Sequence, residues 1–203
     1  MTRQKYPVPA IALSHGQALW VLANMGFRTG DSPTAFTAYI MGLRRAGLPF
    51  ATDELGGGAG RNVTYRYEHM MELTIALALR AQAILPRDIV SMLAQHRPQL
   101  RQIYRRSWAE RASGLGAPEI VRPGNRPEFK LSGIYLDLRL MYGETGFLGY
   151  APPQALGPGE AVVRVFTANI GQHVRGLLPL TELAEEIVKL APGAPEIRRG
   201  RRA

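Results

Sequence analysis

The sequence predicts a mainly α-helical chain with a small β component, an α+β protein, and the prediction rests on where each kind of hydrophobic pattern falls. Apolar residues recur at helical spacing in one segment after another up to about residue 112, each with its own start and stop signals. Alternation of the strand type is confined to two stretches beyond residue 130. Between the two halves, residues 114–127 are rich in Gly and Pro and carry no apolar period, which predicts a linker. The expected organisation is a helical domain over 1–113, a linker over 114–127 and a small α+β domain over 128–203.

Ser14 precedes Gln17–Met25, where Leu19, Leu22 and Ala23 recur at helical spacing before Gly26, so a first helix is expected there. Asp31-Ser32-Pro33 then offers a capping residue followed by proline at the first helical position. Phe36, Ile40 and Leu43 form a stripe, and Gly47 closes the segment Pro33–Ala46. Two helices joined by a short Gly-containing turn make a helix-turn-helix pattern. From Phe50 to Tyr67, two short β-prone pieces flank the glycine-rich tip Gly56–Gly60, as in a β-hairpin wing. A phosphate cradle is excluded at that tip because no Gly-Lys-Ser/Thr follows it.

Glu68–Ala83 is apolar on more than one face and reads as a helix packed between neighbours. Pro86 opens another helix to about Gln95. Pro98 opens a third, Gln99–Ala112, with Arg101, Arg105, Arg106 and Arg111 around Leu100, Ile103, Tyr104 and Trp108. This amphipathic connecting helix is a candidate for two-fold pairing through Leu100, Ile103, Tyr104 and Trp108, so a homodimer is expected. Beyond the linker, Lys130–Tyr142 and Ala161–Gly171 alternate as strands around the turn-rich Gly143–Gly159. Leu180–Leu190 is an amphipathic helix ended by Ala191-Pro192-Gly193.

The chain has 203 residues and a formal charge of +9, and all but three of its 25 basic residues are arginine. Arginine forms bidentate forks to phosphate and guanine that lysine cannot, and a polyanionic partner is the leading expectation. Residues 1–113 carry a net +7 and residues 114–203 only +2, much of it from the tail Arg198, Arg199, Arg201 and Arg202. The absence of cysteine excludes disulfides, zinc-thiolate sites and thiol chemistry. His15, His69, His96 and His173 lack ligand spacing, so neither a metal nor a cofactor is expected. No nucleophile–base pair or paired-carboxylate motif is visible, Asp137, Glu144 and Glu160 being without specific spacing, and the expectation is that the chain is not an enzyme. No apolar run reaches the roughly 18 residues of a membrane span. With no apolar core for a secretory signal in residues 1–13, the expected location is the cytoplasm.

The order helix, turn, helix, glycine-tipped hairpin, then Tyr65-Arg66-Tyr67-Glu68 leading into Leu73, Ile75, Leu77, Ile84, Ile89, Met92 and Leu93, resembles the winged helix-turn-helix domain of MerR-type transcription regulators over about residues 11–112. The resemblance implies a sequence-specific regulator that binds double-stranded DNA. Its recognition helix, about 33–46, would lie in the major groove, and its wing, 50–67, on the backbone. In the groove, Thr34 and Thr37 would face base edges, with Ser32 capping the helix. Arg44 and Arg45 near the helix end, Arg28 in the turn, and Arg61 and Arg66 on the wing would meet phosphate. Tyr39, Tyr65 and Tyr67 would offer phenolic hydroxyls to it. The carboxy-terminal domain would serve dimerisation or take a small-molecule or protein effector. The alternative is a winged-helix adaptor that acts through protein contacts.

Overall fold

A computed structural model of the chain describes residues 6–28, 30–51, 54, 63–112, 133–143, 146–166 and 173–196. It is mainly helical, with one small antiparallel sheet. The chain divides into two compact units: a helical unit of Pro9–Gln95 with the chain from Glu185 onward, and a sheet unit of His96–Ala184 with the chain up to Val8.

In the helical unit, α1 (His15–Leu22) is started by a reciprocal cap. Ser14 Oγ accepts from Gln17 N at 3.3 Å while Gln17 Oε1 accepts from Ser14 N at 2.9 Å, which satisfies two donors that a helix start leaves unpaired. The helix continues as a wide turn, Ala23–Phe27, broken at Gly26 with φ 89°. The second helix, α2 (Pro33–Arg45), is capped by Ser32 Oγ, which accepts from Ala35 N at 3.1 Å, and buries Phe36, Ile40 and Leu43. Its end is closed by Leu48 N donating to Leu43 O (2.9 Å) and Gly47 N to Arg44 O (3.1 Å) around Gly47 at φ 94°. These two bonds satisfy the last orphan carbonyls.

The hairpin expected over 50–67 lies mostly outside the described residues, as do Gly56–Gly60 and Arg61. Of its exit, Tyr65 exchanges backbone hydrogen bonds with Leu13, at 2.9 and 2.7 Å. Then α3 (Tyr67–Ala81) begins, buried almost all round as its apolar pattern requires.

Two corrections concern α4 (Pro86–Ala109). It is one helix, with Pro98 inside it, where two were expected. Proline in a helix interior costs about 3 kcal/mol. Ile89, Met92 and Leu93 before it, and Leu100, Ile103 and Tyr104 after it, are all buried on one continuing stripe. At about 1.5–3 kcal/mol for each such side chain, burial outweighs the break. The second correction is that Leu100, Ile103 and Tyr104 are covered within the single chain, so they offer no face for pairing with a second copy; Trp108 is half-buried under Arg111, whose guanidinium lies 3.5 Å from its ring.

In the sheet unit, β1 (Tyr135–Gly143) is central. Along one edge it pairs with β4 (His173–Pro179) from Tyr135 to Met141. Its other edge is shared by β3 (Gln154–Leu156), opposite Tyr135–Asp137, and β2 (Gly146–Tyr150), opposite Leu140–Gly143. The turn-rich stretch Gly143–Gly159 therefore contains two short strands, split where Pro152 and Pro153 cannot donate to a ladder. A further correction falls on Ala161–Gly171: the chain there opens with helix α5 (Pro158–Phe166), not a strand. Pro158 suits a first helical position, and Glu160 Oε2 accepts from Gly157 N at 3.0 Å as a cap. These local signals override the strand preference of Val162, Val163 and Val165. Helix α6 (Leu180–Leu190) follows β4 and ends at Ala191–Gly193 as expected. The linker 114–127 and the tail arginines 198, 199, 201 and 202 lie outside the described residues.

Candidate nucleic-acid interface

Opposite the buried stripe of α2, its solvent face carries Thr34, Ala35, Ala38, Gly42 and Arg45, all exposed. At 1.5 Å per residue this row runs about 16 Å along the helix. Ser32 is exposed at its start. Thr37 is half-buried and donates its hydroxyl to Pro33 O at 2.8 Å, a bond within its own helix that leaves only its lone pairs for another partner.

The expected arginines that are described differ in exposure. Arg28, Arg45 and Arg66 are exposed. Arg44 is half-buried beside the Tyr65 hydroxyl, which also lies 2.9 Å from His15 Nδ1. Because a guanidinium only donates, the phenol oxygen accepts from Arg44, and the direction of its bond with Nδ1 follows the imidazole tautomer. Burial pushes the Tyr65 hydroxyl above its ordinary pKa, and the charge and hydrogen bond of Arg44 oppose the shift. Arg44 thus belongs to an internal chain of hydrogen bonds joining α1, α2 and the strand residue Tyr65.

The three tyrosines prove to be packing residues first. Tyr65 and Tyr67 are wholly buried, which removes both from any contact surface. Tyr39 is half-buried under the Arg80 guanidinium, 4.1 Å from its ring centroid. Its hydroxyl is buried without a hydrogen-bond partner among the described residues. Burial raises its pKa, against the pull of Arg80. Arg80 in turn forks onto Asp31 at 2.7 and 3.1 Å. This clamp ties the end of α3 to the approach of α2, and no motif announces it, since a basic residue in a last helical turn is ordinarily solvated.

A second unforeseen feature borders the same helix. Ala38, Tyr39, Gly42, Leu43 and Ala46 of α2 face Pro86, Arg87, Val90 and Ser91 of α4 across an apolar groove of about 690 Å³. Among the described residues no group of three His, Asp or Glu side chains could hold a metal ion, and no helix is long and apolar enough to cross a membrane. No protein-family model, curated protein or solved structure matches the chain.

Proposed function

We propose that the helical unit binds double-stranded DNA as a winged helix-turn-helix regulator of MerR-like type, with α2 entering the major groove. The observation that carries the reading is the capped helix α2, whose outward row of Thr34, Ala35, Ala38 and Gly42 is free of bulky side chains and ends on the exposed Arg45. A major groove about 12 Å wide admits a helix of this kind. Threonine hydroxyl and methyl groups can meet base edges there, while arginines at the periphery neutralise phosphate. The surplus of basic residues in the first half supplies the non-specific share of the affinity. A two-fold dimer on a palindromic site remains part of the reading, through a surface other than Leu100, Ile103 and Tyr104.

Binding of labelled duplexes selected from a random pool, titrated against salt, tests the reading. Arg45→Ala is expected to flatten the slope of log affinity against log salt by about one, with folding stability unchanged. Arg44→Ala is expected to lower stability by about 1 kcal/mol through the lost bond to Tyr65, with a smaller change of slope. Duplex affinity that is absent, or indifferent to salt, overturns the reading. The apolar groove beside α2 favours a second one, a winged-helix adaptor that seats a protein segment between α2 and α4. That reading predicts no duplex affinity at any salt concentration.

A further inference from the structure

The groove between α2 and α4 lies wholly within the helical unit. Its deepest residues are Leu43, 2% exposed, and the half-buried Tyr39. The Tyr39 ring is held by the Arg80 guanidinium, which is itself forked onto Asp31, so this floor is formed before anything binds. Along the α2 wall, Ala38, Gly42 and Ala46 stand four residues apart, and no side chain longer than a methyl narrows that side. A Cβ on Gly42 would meet nothing within 4 Å in the described chain. Glycine weakens a helix interior relative to alanine, and no contact within the described chain requires it here. Pro86 and Val90 form the α4 wall, with Arg87 and Ser91 along its edge.

Charge at the groove has one sign. Arg87 is the one charged residue that lines it, and 79% of its side chain is exposed. Its Nε stands 3.4 Å from Asp88 Oδ1, but Asp88 is buried and does not line the groove. Helix α2 carries no acidic residue at all. The groove therefore joins an apolar slot to a single cation at its edge, and it complements an apolar molecule with an anionic end.

Its dimensions favour a small occupant. At 1.5 Å per residue the α2 wall runs about 12 Å from Ala38 to Ala46 and the α4 wall about 8 Å from Pro86 to Ser91. A helical peptide anchored at i, i+3, i+4 and i+7 needs about 10 Å on both walls. The volume of about 690 Å³ is that of a small-molecule site.

We propose that the groove binds a small aromatic carboxylic acid, its ring between the α2 and α4 walls and its carboxylate at Arg87, with the Ser91 hydroxyl donating beside it. The Tyr39 ring offers an aromatic contact, and the planar guanidinium matches the two carboxylate oxygens. The site does not depend on the DNA reading. Where that reading holds, the acid regulates it, because Ala38 and Gly42 also stand in the outward row of α2, and occupant and duplex exclude each other.

The test is calorimetric titration of the full chain with 2-naphthoate and, as its uncharged counterpart, 2-naphthalenemethanol. Saturable binding of both is expected, the acid more tightly. Arg87→Gln should weaken the acid by about fivefold, as loss of an exposed ion pair does, and leave the alcohol unchanged. Gly42→Leu fills the slot from a position with room for the new Cβ, and leucine is the better helix former. Binding should disappear in that variant while urea unfolding shows no loss of stability. The proposal is overturned by absence of saturable binding, by undiminished binding to Gly42→Leu, or by an Arg87→Gln loss as large for the alcohol as for the acid. It is also overturned if naphthoate fails to bind while peptides from a displayed library bind wild type and not Gly42→Leu, which would assign the groove to a protein segment. Naphthoate binding without duplex affinity upholds the site and removes the DNA reading; duplex affinity without naphthoate binding does the reverse.

Discussion

Asp31 in the helical unit and Asp137 in the sheet unit both face arginine, at 2.7 and 3.1 Å in the one case and at 3.7 Å twice over in the other. Asp31 meets a single guanidinium edge-on, oxygen to nitrogen, and charge balances charge. It also keeps part of its surface in water. Asp137 is withdrawn from water and attracts two guanidinium groups, those of Arg139 and Arg164, to one oxygen. The first arrangement is a closed clamp whose worth is geometric. The second holds a buried carboxylate between two partly exposed arginines at longer range, so its worth depends on both of them.

Removing the cations breaks this contrast most severely. With Arg139→Gln and Arg164→Gln together, Asp137 is left buried without a counter-charge, and unfolding in urea should show a loss of about 3–5 kcal/mol. Adding Asp137→Asn to the pair should restore most of it. Arg80→Ala leaves Asp31 able to hydrate, and the same measurement should register only about 1 kcal/mol. Equal losses at the two places would mean that Asp137 is no more deprived of water than Asp31.

The units also differ in what their left-handed glycines face. Gly47 (φ 94°) has open space where a Cβ would stand, whereas a Cβ on Gly133 (φ 85°) would overlap the Thr181 side chain. Thr181 Oγ1 accepts from Ile134 N at 2.8 Å and donates to Ser107 O at 3.4 Å, so it cannot withdraw without breaking both bonds. Gly133→Ala should cost about 2–4 kcal/mol by urea unfolding, strain and overpacking combined. Gly47→Ala should cost about 1–2 kcal/mol, from backbone strain alone.

How far each unit could be read in advance follows from how local its determinants are. Helix α2 is written into consecutive residues: Ser32 caps it, Pro33 starts it, Gly47 ends it, and Phe36, Ile40 and Leu43 show which side is buried. The exposure of Arg45 follows from the same local pattern. Tyr65 and Tyr67 could not be assigned in this way, because a tyrosine reads equally well as a core ring or as a hydroxyl donor, and only their tertiary neighbours decide. The grouping around Asp137 depends on Arg164, which stands in a segment whose valines suggest a strand while Pro158 and Glu160 start a helix. With α5 read as a strand, nothing brings Arg164 to Asp137. Pro98 misled for a related reason: the break it signals is local, and the stripe that overrides it is not.

The smallest effect concerns the chain of hydrogen bonds behind α2. Tyr65→Phe removes the hydroxyl shared by His15 and Arg44 and should lower stability by about 1 kcal/mol at neutral pH. The wild-type phenol holds its proton more tightly in the native state than its ordinary value of 10.0 implies, because burial disfavours the phenolate. Once pH passes that ordinary value, the unfolded chain has released the proton and the native chain has not, so the native state binds more protons and stability falls as pH rises. Tyr39 and Tyr135 are raised as well and act in the same direction. The Tyr65→Phe variant lacks one of these contributions, and its deficit relative to wild type should therefore narrow above about pH 10. Two unfolding curves that stay parallel from neutral pH into that range would show that the Tyr65 hydroxyl reaches water, and that Arg44 is as free to meet phosphate as Arg45.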